Sequence, residues 1–281
     1  MKIQFLGTGA FEGIPSLFCE CEICKHALEV GGREIRTRSQ ALINDDLLID
    51  FNNDTVSHFH SFKFDSTKIK NILVTHTHAD HFLVDDLIII TGGYSQHAND
   101  KVVGVYGGQS CVDKVNDTIA KPYNNFGCCI EPHLVEHGKV IEVGKYKVLP
   151  IAAVHAPKTC PHIYLIDDGE KVILYGHDTG LFTDEMYEAL KVYGKKIDLI
   201  SLDCTFGLMS HKDAYDETHH MCLEGVVKTL ARLEEMFLID CNTIRVINHF
   251  THNANSTHEQ LVEEARKHFI VVAYDGMKVD F

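Results

Sequence analysis

The sequence predicts a layered α/β protein in which helices cover β-sheets, and two observations lead to this fold class. Short apolar runs rich in β-branched residues recur along the 281 residues and end in Gly, Asp or Asn turns, which is typical of strands. Segments with helical periodicity are interspersed with the later runs, and this alternation favours helices packed on sheets. The chain has no internal repeat, low-complexity tract or Pro/Ser-rich linker, so we expect one continuous domain over residues 1–281.

The predicted strands are runs in which Val, Ile and Leu predominate. In chain order they are Ile3–Leu6, Ala41–Ile49, Ile72–Thr75, Val102–Tyr106, Lys147–Ala153, Ile163–Ile166, Lys171–Tyr175, Ile197–Leu202, Thr243–Asn248 and Ile270–Ala273. Helical periods occur at residues 81–91, 109–120, 183–193, 219–237 and 256–268. Ser256-Thr-His-Glu259 has the spacing of a capping box and predicts the start of the last helix. These patterns leave the order of the strands open.

Composition restricts the partners of the protein. Its hydrophobic content of 45% is sufficient for a large buried core. The formal net charge is −14, from 40 acidic and 26 basic residues, and such a surface repels polyanions. We therefore expect no long nucleic acid as a partner, although a small anion drawn in by bound metal stays open. No apolar run approaches the roughly 20 residues of a membrane span, and Met1–Gly9 lacks a signal-peptide core, so we expect a cytoplasmic protein without a membrane partner.

Gly7-Thr-Gly9 follows the first predicted strand. Because Glu12 stands where a third glycine would be needed, the segment does not form the GxGxxG pattern of dinucleotide-binding proteins. Two interpretations remain, a tight turn or a backbone loop beside a bound anion.

The segment His76-Thr-His78-Ala-Asp80-His81 carries the chemistry of the chain. It follows a buried strand and offers four candidate metal ligands in six residues. His76 and His78 alternate, so in extended backbone they point the same way, whereas the adjacent Asp80 and His81 can diverge toward a second ion. Imidazole and carboxylate together suit Zn, Mn or Fe better than Ca or Mg. Spacing alone leaves open that one of the four does not bind metal, and the alternative to a metal site is a solvated histidine-rich loop.

This segment resembles the His-x-His-x-Asp-His signature of the metallo-β-lactamase superfamily. The resemblance implies an α/β (α+β) fold, namely a four-layer αβ/βα sandwich with a two-metal site at one edge. It also implies three later ligands, a His, an Asp and a His, each at a strand end. His155, Asp178 and His249 stand in that order, each after a predicted strand.

The resemblance also implies how the ligands are shared. One metal ion is bound by His76, His78 and His155, the other by Asp80, His81 and His249, and Asp178 bridges the two. His177 is an alternative to Asp178, but a carboxylate can bridge two cations, whereas a neutral imidazole has one free lone pair. We expect the two active-site ions to be Zn or Mn.

A second metal site is indicated by Cys19-Glu-Cys21-Glu-Ile-Cys24, which supplies three of the 10 cysteines. In a chain without an export signal, such a cluster suggests metal rather than disulfides, although three free thiols are the alternative. A tetrahedral Zn needs a fourth ligand, and His252 is a candidate if the N-terminal segment and the loop after Asn248 are neighbours. The chain resembles the PhnP-type phosphoribosyl cyclic phosphate phosphodiesterases, which join a C-x-C-x-x-C to a late H-x-x-H to form a structural Zn site.

The same branch suggests a catalytic acid. Thr218-His219-His220-Met221 resembles its Gly-His-Met motif, whose His contacts the substrate phosphate and protonates the leaving group. We carry this role to His220, because the pKa of a histidine lies near working pH. His219 is the rival, and a polar helix start without a catalytic role is the alternative. We count Asp80 among the catalytic residues as well as the ligands.

The predicted activity is that of a two-metal hydrolase, a phosphodiesterase that cleaves a small phosphate ester, cyclic or acyclic, by metal-bound hydroxide. The alternatives are another hydrolase of this fold (a lactonase, a thioesterase or an RNA-processing nuclease) and a non-catalytic metal sensor. His219 and His177 depart from the residues usual in the branch, which leaves the substrate open. The family resemblance also suggests a homodimer.

Overall fold

Two seven-stranded β-sheets lie face to face in the protein. The structure, a computed structural model, describes residues 1–91, 93–96, 102–121, 129–210 and 219–281. The first sheet contains β1 (Lys2–Gly7), β2 (Gln40–Ile43), β3 (Leu47–Ile49), β4 (Asn71–Leu73), β5 (Val103–Gly107), β6 (Ile130–Leu134) and β14 (Lys278–Asp280). Its spatial order is β14-β1-β2-β3-β4-β5-β6, and the strands from β3 to β6 are parallel to one another.

The second sheet is built in the same mixed way. It contains β7 (Ile141–Val143), β8 (Tyr146–Ala152), β9 (His162–Asp167), β10 (Val172–Gly176), β11 (Leu199–Asp203), β12 (Ile244–Asn248) and β13 (Ile270–Val272). Its spatial order is β13-β12-β11-β10-β9-β8-β7, with the strands from β10 to β13 parallel. The carboxyl ends of neighbouring parallel strands meet at one edge of a sheet, where ligand-binding loops commonly lie.

Helices cover the outer face of each sheet. They are α1 (Glu22–Val30), α2 (Thr55–Phe62), α3 (Gln109–Ile119), α4 (Asp184–Tyr193), α5 (Leu223–Glu235) and α6 (His258–Ala265). Apolar residues of α1, α4, α5 and α6 pack on the second sheet, those of α2 and α3 pack on the first, and a third apolar cluster fills the space between the sheets. The predicted four-layer αβ/βα sandwich is therefore confirmed. No helix in the described part of the chain is long and apolar enough to cross a bilayer.

Several predicted elements differ in their bounds. The predicted strand Ala41–Ile49 is a hairpin of β2 and β3, because Asn44 and Asp45 adopt positive φ angles of 46° and 64° and turn the chain. The predicted helix 81–91 is wrong, since only a 3₁₀ segment forms, at Val84–Ile90. Three consecutive isoleucines explain this, because β-branched side chains lose rotamer freedom in an α-helix.

The last two predicted helices start later than expected. The helix predicted at 219–237 begins at Leu223, and the one predicted at 256–268 begins at His258. The capping box is formed not by Ser256 and Glu259 but by Thr257 and Gln260, one residue further along the chain. The Thr257 hydroxyl accepts from the Gln260 amide at 3.2 Å, and the Gln260 side chain accepts from the Thr257 amide at 3.0 Å. Gln serves this position as well as Glu, so spacing could not choose between the two registers.

The segment after β1 is neither of the two predicted forms, because it is extended and Gly9 forms parallel bridges with Arg38 and Phe250, and the chain turns only at Phe11. The amides of Thr8 and Gly9 both donate to the Thr37 carbonyl, at 3.0 and 2.7 Å, and the next amide donates to the Phe250 carbonyl at 2.9 Å. None of these three donors is left for a bound anion. A Cβ on Gly7 would lie 2.0 Å from the Arg38 carbonyl oxygen, so only glycine fits this close approach.

Candidate metal centre

The predicted ligands meet at the carboxyl ends of strands from both sheets. The segment from His76 to His81 follows β4, His155 follows β8, Asp178 follows β10 and His249 follows β12. All these side chains are buried except His78, which is partly exposed. The structure therefore brings together the seven residues that the sequence nominated, although they are spread over more than half of the chain.

Three imidazoles form the first ligand group. His76 Nε2 lies 2.8 Å from His78 Nδ1, and His155 Nε2 lies 3.2 Å from the same Nδ1 atom. Their three nitrogens fall within 4.8 Å of one another, a span that a single cation can bridge. Burial lowers the pKa of His76 well below its ordinary value and that of His155 to about 4, so both rings are neutral and offer lone pairs.

Two carboxylates and two imidazoles form the second group. His81 Nε2 lies 3.2 Å from Asp80 Oδ2 and 2.9 Å from Asp178 Oδ2. His249 Nε2 lies 3.1 Å from the same oxygen of Asp178. The other oxygen of Asp178, Oδ1, lies 3.8 Å from His155 Nε2 in the first group. Asp178 thus turns one oxygen toward each group, which is the arrangement expected of a bridging carboxylate.

Buried atoms without partners test whether a metal fits here. His81 Nε2, Asp178 Oδ2 and His249 Nε2 are fully buried, and although the two nitrogens lie 2.9 and 3.1 Å from the Asp178 oxygen, none of the three atoms makes a well-aligned hydrogen bond with a described residue. Buried polar atoms are rarely left unpaired, because the lost solvation costs free energy. These three atoms converge on one point, and nitrogen and oxygen donors of this kind suit a transition-metal ion. The residues present therefore fit a bound divalent ion.

The electrostatic environment of His81 also favours a cation. Burial alone would lower the pKa of its imidazole, but the carboxylates of Asp178, Asp80 and Asp50 outweigh burial and raise this pKa well above the ordinary value. The same negative field that would hold a proton on the ring would hold a metal ion beside it.

His177 is not part of either group. Its Nε2 atom lies 2.7 Å from Ser201 Oγ and its Nδ1 atom 3.4 Å from Ser39 Oγ, so both ring nitrogens are occupied away from the ligands. Burial lowers the pKa of His177 to about 3, which keeps the ring neutral. This geometry favours Asp178 over His177 as the ligand after β10.

Contacts behind the ligands fix the direction of each ring. His81 Nδ1 lies 2.7 Å from Asp50 Oδ2, and His249 Nδ1 lies 2.8 Å from Thr205 Oγ1, whose hydroxyl also contacts Asp203. When Nδ1 donates to such a partner, Nε2 keeps its lone pair for a metal. The sequence patterns assigned no role to Asp50, Asp203 or Thr205.

The ligand loop after β4 has a further support that the sequence analysis missed. Lys114, on α3, donates from Nζ to the Thr77 carbonyl oxygen at 2.7 Å, between the first two histidines. Ser110, one turn earlier on the same helix, donates to the Thr159 carbonyl at 2.5 Å and lies 3.3 Å from Thr77 Oγ1. Only the fold brings α3 to this loop, so no local pattern could have revealed the contact.

A cavity of about 880 Å³ opens onto the ligands. His220 lines it together with His78, Asp80, His155, Asp178 and His249. The His220 ring stacks on the ring of His249, with centroids 5.4 Å apart and an interplanar angle of 15°. His219 does not line the cavity but contacts His155 from the side, since its carbonyl oxygen accepts from His155 Nδ1 at 3.2 Å and its ring meets that of His155 edge to face at 5.8 Å. Of the two rivals, His220 is therefore the one on the cavity wall; Thr218, which precedes them, lies outside the described residues.

The cysteine cluster and His252 also meet. Cys21 Sγ lies 3.4 Å and Cys19 Sγ 3.6 Å from His252 Nδ1, and all four ligand atoms including Cys24 Sγ fall within 4.8 Å of one another. Burial raises the pKa of the Cys21 thiol, but hydrogen bonds from the Cys24 amide, Cys19 and His252 outweigh it and lower this pKa to about 6. Three thiols and one imidazole in this arrangement fit a tetrahedral Zn site.

Comparison with known proteins identifies the family. The model of the beta-lactamase superfamily domain matches residues 47–239, more than half of the chain. The chain therefore belongs to the metallo-β-lactamase superfamily and is a metal-dependent hydrolase of that superfamily. The search of curated proteins found no match.

Solved structures share the fold over the full length of the chain. A diphosphatase from the PhnP family is similar with a TM-score of 0.72 at 22% identity, covering 100% of this chain and 97% of that one. Zn²⁺-bound PqqB from Methylobacterium extorquens has a TM-score of 0.75 at 18% identity and is covered completely, as is this chain. The short form of human tRNase Z has a TM-score of 0.66 at 17% identity, with 100% of this chain and 99% of that chain covered.

Proposed function

We propose that the protein is a two-metal phosphodiesterase that hydrolyses a small phosphate ester, including cyclic ones. The observation that carries the proposal is His220, a histidine held on the cavity wall with its ring 5.0 Å from that of His155 and 5.4 Å from that of His249. An alkoxide leaving group needs a proton, whereas the thiolate of a thioester leaves without one. An acid beside the ligand groups therefore favours an oxygen ester.

The ligand groups support a pair of divalent ions, Zn or Mn. His76, His78 and His155 would hold one ion, Asp80, His81 and His249 the other, and Asp178 would lie between them. When bound, the ions supply Lewis acidity and neutralise the charge that develops on the phosphate oxygens.

His220 has the properties of a general acid. Burial alone would lower its pKa, but Asp203 Oδ2, 2.9 Å from His220 Nδ1, raises it to about 9. The ring is therefore protonated at neutral pH. Because Nδ1 is engaged by Asp203 and lies 3.1 Å from Thr205 Oγ1, Nε2 is the nitrogen that can donate to the leaving alkoxide.

Asp80 is one of the carboxylates on the cavity wall, and we assign to it the orientation of the attacking water. Burial raises its pKa, but the neighbouring His81 outweighs burial, so the net pKa lies below the ordinary value and the group is ionised. An ionised carboxylate on the cavity wall can accept a hydrogen bond from water and orient it toward phosphorus.

The substrate class is also supported by resemblance. The cysteine cluster with His252 matches the structural Zn site of PhnP-type enzymes, and one similar structure is a diphosphatase of the PhnP family. A nuclease that acts on long RNA is disfavoured by the net charge of −14, because such a surface repels a polyanion.

The proposal is tested by comparing substrates. The protein loaded with Mn²⁺ or Zn²⁺ is assayed with bis(p-nitrophenyl) phosphate, a lactone, a thioester and a structured RNA, and a chelator-treated sample serves as the control. We expect the phosphodiester to be hydrolysed and chelation to abolish its turnover. Preferential turnover of the lactone, thioester or RNA would assign the site to another hydrolase, and no turnover at all would favour a metal sensor.

A further inference from the structure

Two of the clustered cysteines stand at the start of helix α1. Cys21 is the N-cap of this helix and Cys24 lies in its first turn, so the pair has the C-x-x-C spacing found in redox-active proteins. The Cys24 amide donates to Cys21 Sγ at 3.5 Å, and the two sulfur atoms lie within 4.8 Å of each other. Residues three positions apart at a helix start share one face, so a change of rotamer can bring the two sulfurs to bonding distance.

The two thiols differ in exposure. Cys21 is partly exposed, whereas Cys24 is buried and its sulfur accepts from the Ser16 amide at 3.3 Å. A dissolved oxidant can therefore reach the first sulfur, and the second lies behind it as a partner that can resolve the oxidised form. Cys19 is also partly exposed, but it precedes the helix.

His252 connects the cysteines to the cavity beside the candidate metal centre. Its Nδ1 atom lies 3.4 Å from Cys21 Sγ, and the residues on both sides of it, Thr251 and Asn253, line the cavity. The Thr251 hydroxyl accepts from the Asn253 amide at 3.2 Å and donates to Glu12, another residue of the lining. Because of these contacts, a change among the ligands of the cysteine site reaches the cavity wall.

We propose that Cys21 and Cys24 form a site of reversible oxidation, at which a disulfide replaces the structural Zn and loosens the cavity wall. The oxidant is a peroxide. The Cys21 thiolate displaces hydroxide from hydrogen peroxide and becomes a sulfenic acid, and the Cys24 thiolate then displaces hydroxide from that sulfur. One peroxide is thereby reduced to two hydroxide ions while two thiolates are oxidised to one disulfide.

The loss of two thiolates explains why the ion would leave. A tetrahedral Zn site needs four ligands, and the disulfide leaves only Cys19 and His252. Oxidation at this site does not depend on the proposed phosphodiesterase activity; only its effect on turnover does.

Treatment of the Zn-loaded protein with hydrogen peroxide tests the proposal. Zn²⁺ is used because it has no redox chemistry of its own. After removal of the peroxide and alkylation of the remaining thiols, peptide mass spectrometry should find Cys21 and Cys24 joined and Cys19 alkylated. Elemental analysis after gel filtration should find about one ion per chain fewer than before treatment.

The effect on the cavity is measured with bis(p-nitrophenyl) phosphate. In the oxidised protein kcat/KM should fall by roughly fivefold, the lower end of typical coupling between two sites. The change should lie mainly in KM, because the seven candidate ligands and His220 keep their positions. A thiol reductant added together with Zn²⁺ should restore both the metal content and kcat/KM.

Three variants identify the pair of sulfurs that reacts. Cys19→Ser should still form the disulfide between Cys21 and Cys24, whereas Cys24→Ser should not form it. The matched control is Cys241→Ser, because Cys241 is an exposed thiol in the turn before β12 and is not part of the cluster. This control should respond to peroxide as the unmodified protein does.

Retention of the Zn after treatment, or its loss without a bond between Cys21 and Cys24, overturns the proposed oxidation site. An unchanged kcat/KM in protein that carries the disulfide overturns its connection to the cavity. If the untreated protein hydrolyses no phosphodiester, the proposed function is wrong, whereas peptide mapping and metal analysis still decide whether the oxidation occurs.

Discussion

The ligand histidines are aimed by what binds their second nitrogen. His81, His155 and His249 each engage Nδ1, through the Asp50 carboxylate, the His219 carbonyl and the Thr205 hydroxyl. Each ring therefore presents Nε2 to the centre without having to reorient when an ion binds. Loss of such a partner typically weakens metal affinity by about 10- to 100-fold, which makes these contacts part of the site.

Strained backbone conformations at and beside the ligands also indicate that the surrounding structure holds these residues in place. Asp50, Asp178 and His249 all adopt left-handed backbone with φ angles of 66°, 53° and 66°. Non-glycine residues in this region cost free energy and persist where the surrounding structure holds them. The three residues lie at the carboxyl ends of β3, β10 and β12, where Asp178 and His249 face the candidate metal centre and Asp50 contacts His81 from behind.

Replacing His220 by alanine separates acid catalysis from metal binding. His220 lies outside the seven proposed ligands and contacts Asp203, so His220→Ala should leave the metal content unchanged. Turnover should fall by roughly 10²- to 10⁴-fold, the usual contribution of a positioned general acid. The measurement is hydrolysis of bis(p-nitrophenyl) phosphate together with metal analysis of the same samples.

The matched control for this change is His219→Ala. It removes the neighbouring ring and keeps the backbone carbonyl that binds His155, so its effect on turnover should be much smaller. If His220→Ala loses metal and turnover to the same extent, or loses neither, the assignment of His220 as the acid is wrong.

The sequence could nominate the ligands because each carries a local signal. His76–His81 is contiguous, and His155, Asp178 and His249 each follow a run of strand residues. The residues that aim them carry no such signal. Asp50 is 31 residues from His81, and Thr205 is 44 residues from His249, so these pairs become visible only when the strands are arranged side by side.

The secondary-structure elements were predicted where apolar periodicity determines them. The central strands are buried and rich in Val, Ile and Leu, and they form where expected. Edge strand β6 was missed because Pro132 and charged Glu131 interrupt its apolar pattern. Helix α2 was missed for a different reason, since its one buried residue is His58, and a polar contact leaves no apolar stripe in the sequence.

The docking of α2 by a neutral histidine predicts a pH dependence of stability. His58 Nδ1 lies 2.6 Å from Gln40 Oε1 and Nε2 lies 2.7 Å from Thr37 Oγ1, and burial lowers the pKa of His58 to about 4. The unfolded chain binds a proton here below pH about 6.5, while the folded protein resists protonation until pH about 4. The contribution of neutral His58 to the free energy of unfolding is therefore complete above pH about 6.5 and is lost as the pH falls toward 4. This contribution is about 3 kcal/mol at most.

Denaturant unfolding of chelator-treated protein between pH 7 and 4 measures this dependence. The free energy of unfolding should fall more steeply for the unmodified protein than for His58→Gln, whose side chain does not titrate. The variant His60→Gln, on the exposed face of the same helix, should keep the steeper slope. Parallel slopes for the unmodified protein and His58→Gln would show that His58 is not buried in its neutral form.

At the scale of the whole molecule, the N-terminal cysteine segment and the loop after β12 contact each other and together connect the two candidate metal sites. Cys19 meets His252, a residue 233 positions away along the chain. The loop after β12 supplies His249 to the candidate metal centre and His252 to the cysteine cluster. Between them, Thr251 binds Glu12 on the cavity wall. A rigid thiolate site beside this loop would therefore hold the cavity wall as well as the N-terminal segment.

This arrangement predicts about three metal ions per chain, two at the strand ends and one at the cysteines. The variant Cys21→Ser tests whether the sites are separate. Cys21 is the N-cap of α1, where its sulfur accepts from the Cys24 amide, and serine is a good N-cap, so helix α1 should keep its start while the site loses a thiolate. Elemental analysis of the variant should then find about two ions per chain, because the cysteine site has lost its ion. Phosphodiester turnover should fall by a smaller fraction than the occupancy of the cysteine site. The prediction of two separate sites is wrong if the unmodified protein holds about one ion per chain. It is also wrong if the Cys21→Ser variant loses all of its ions, because a separate pair at the strand ends should be retained.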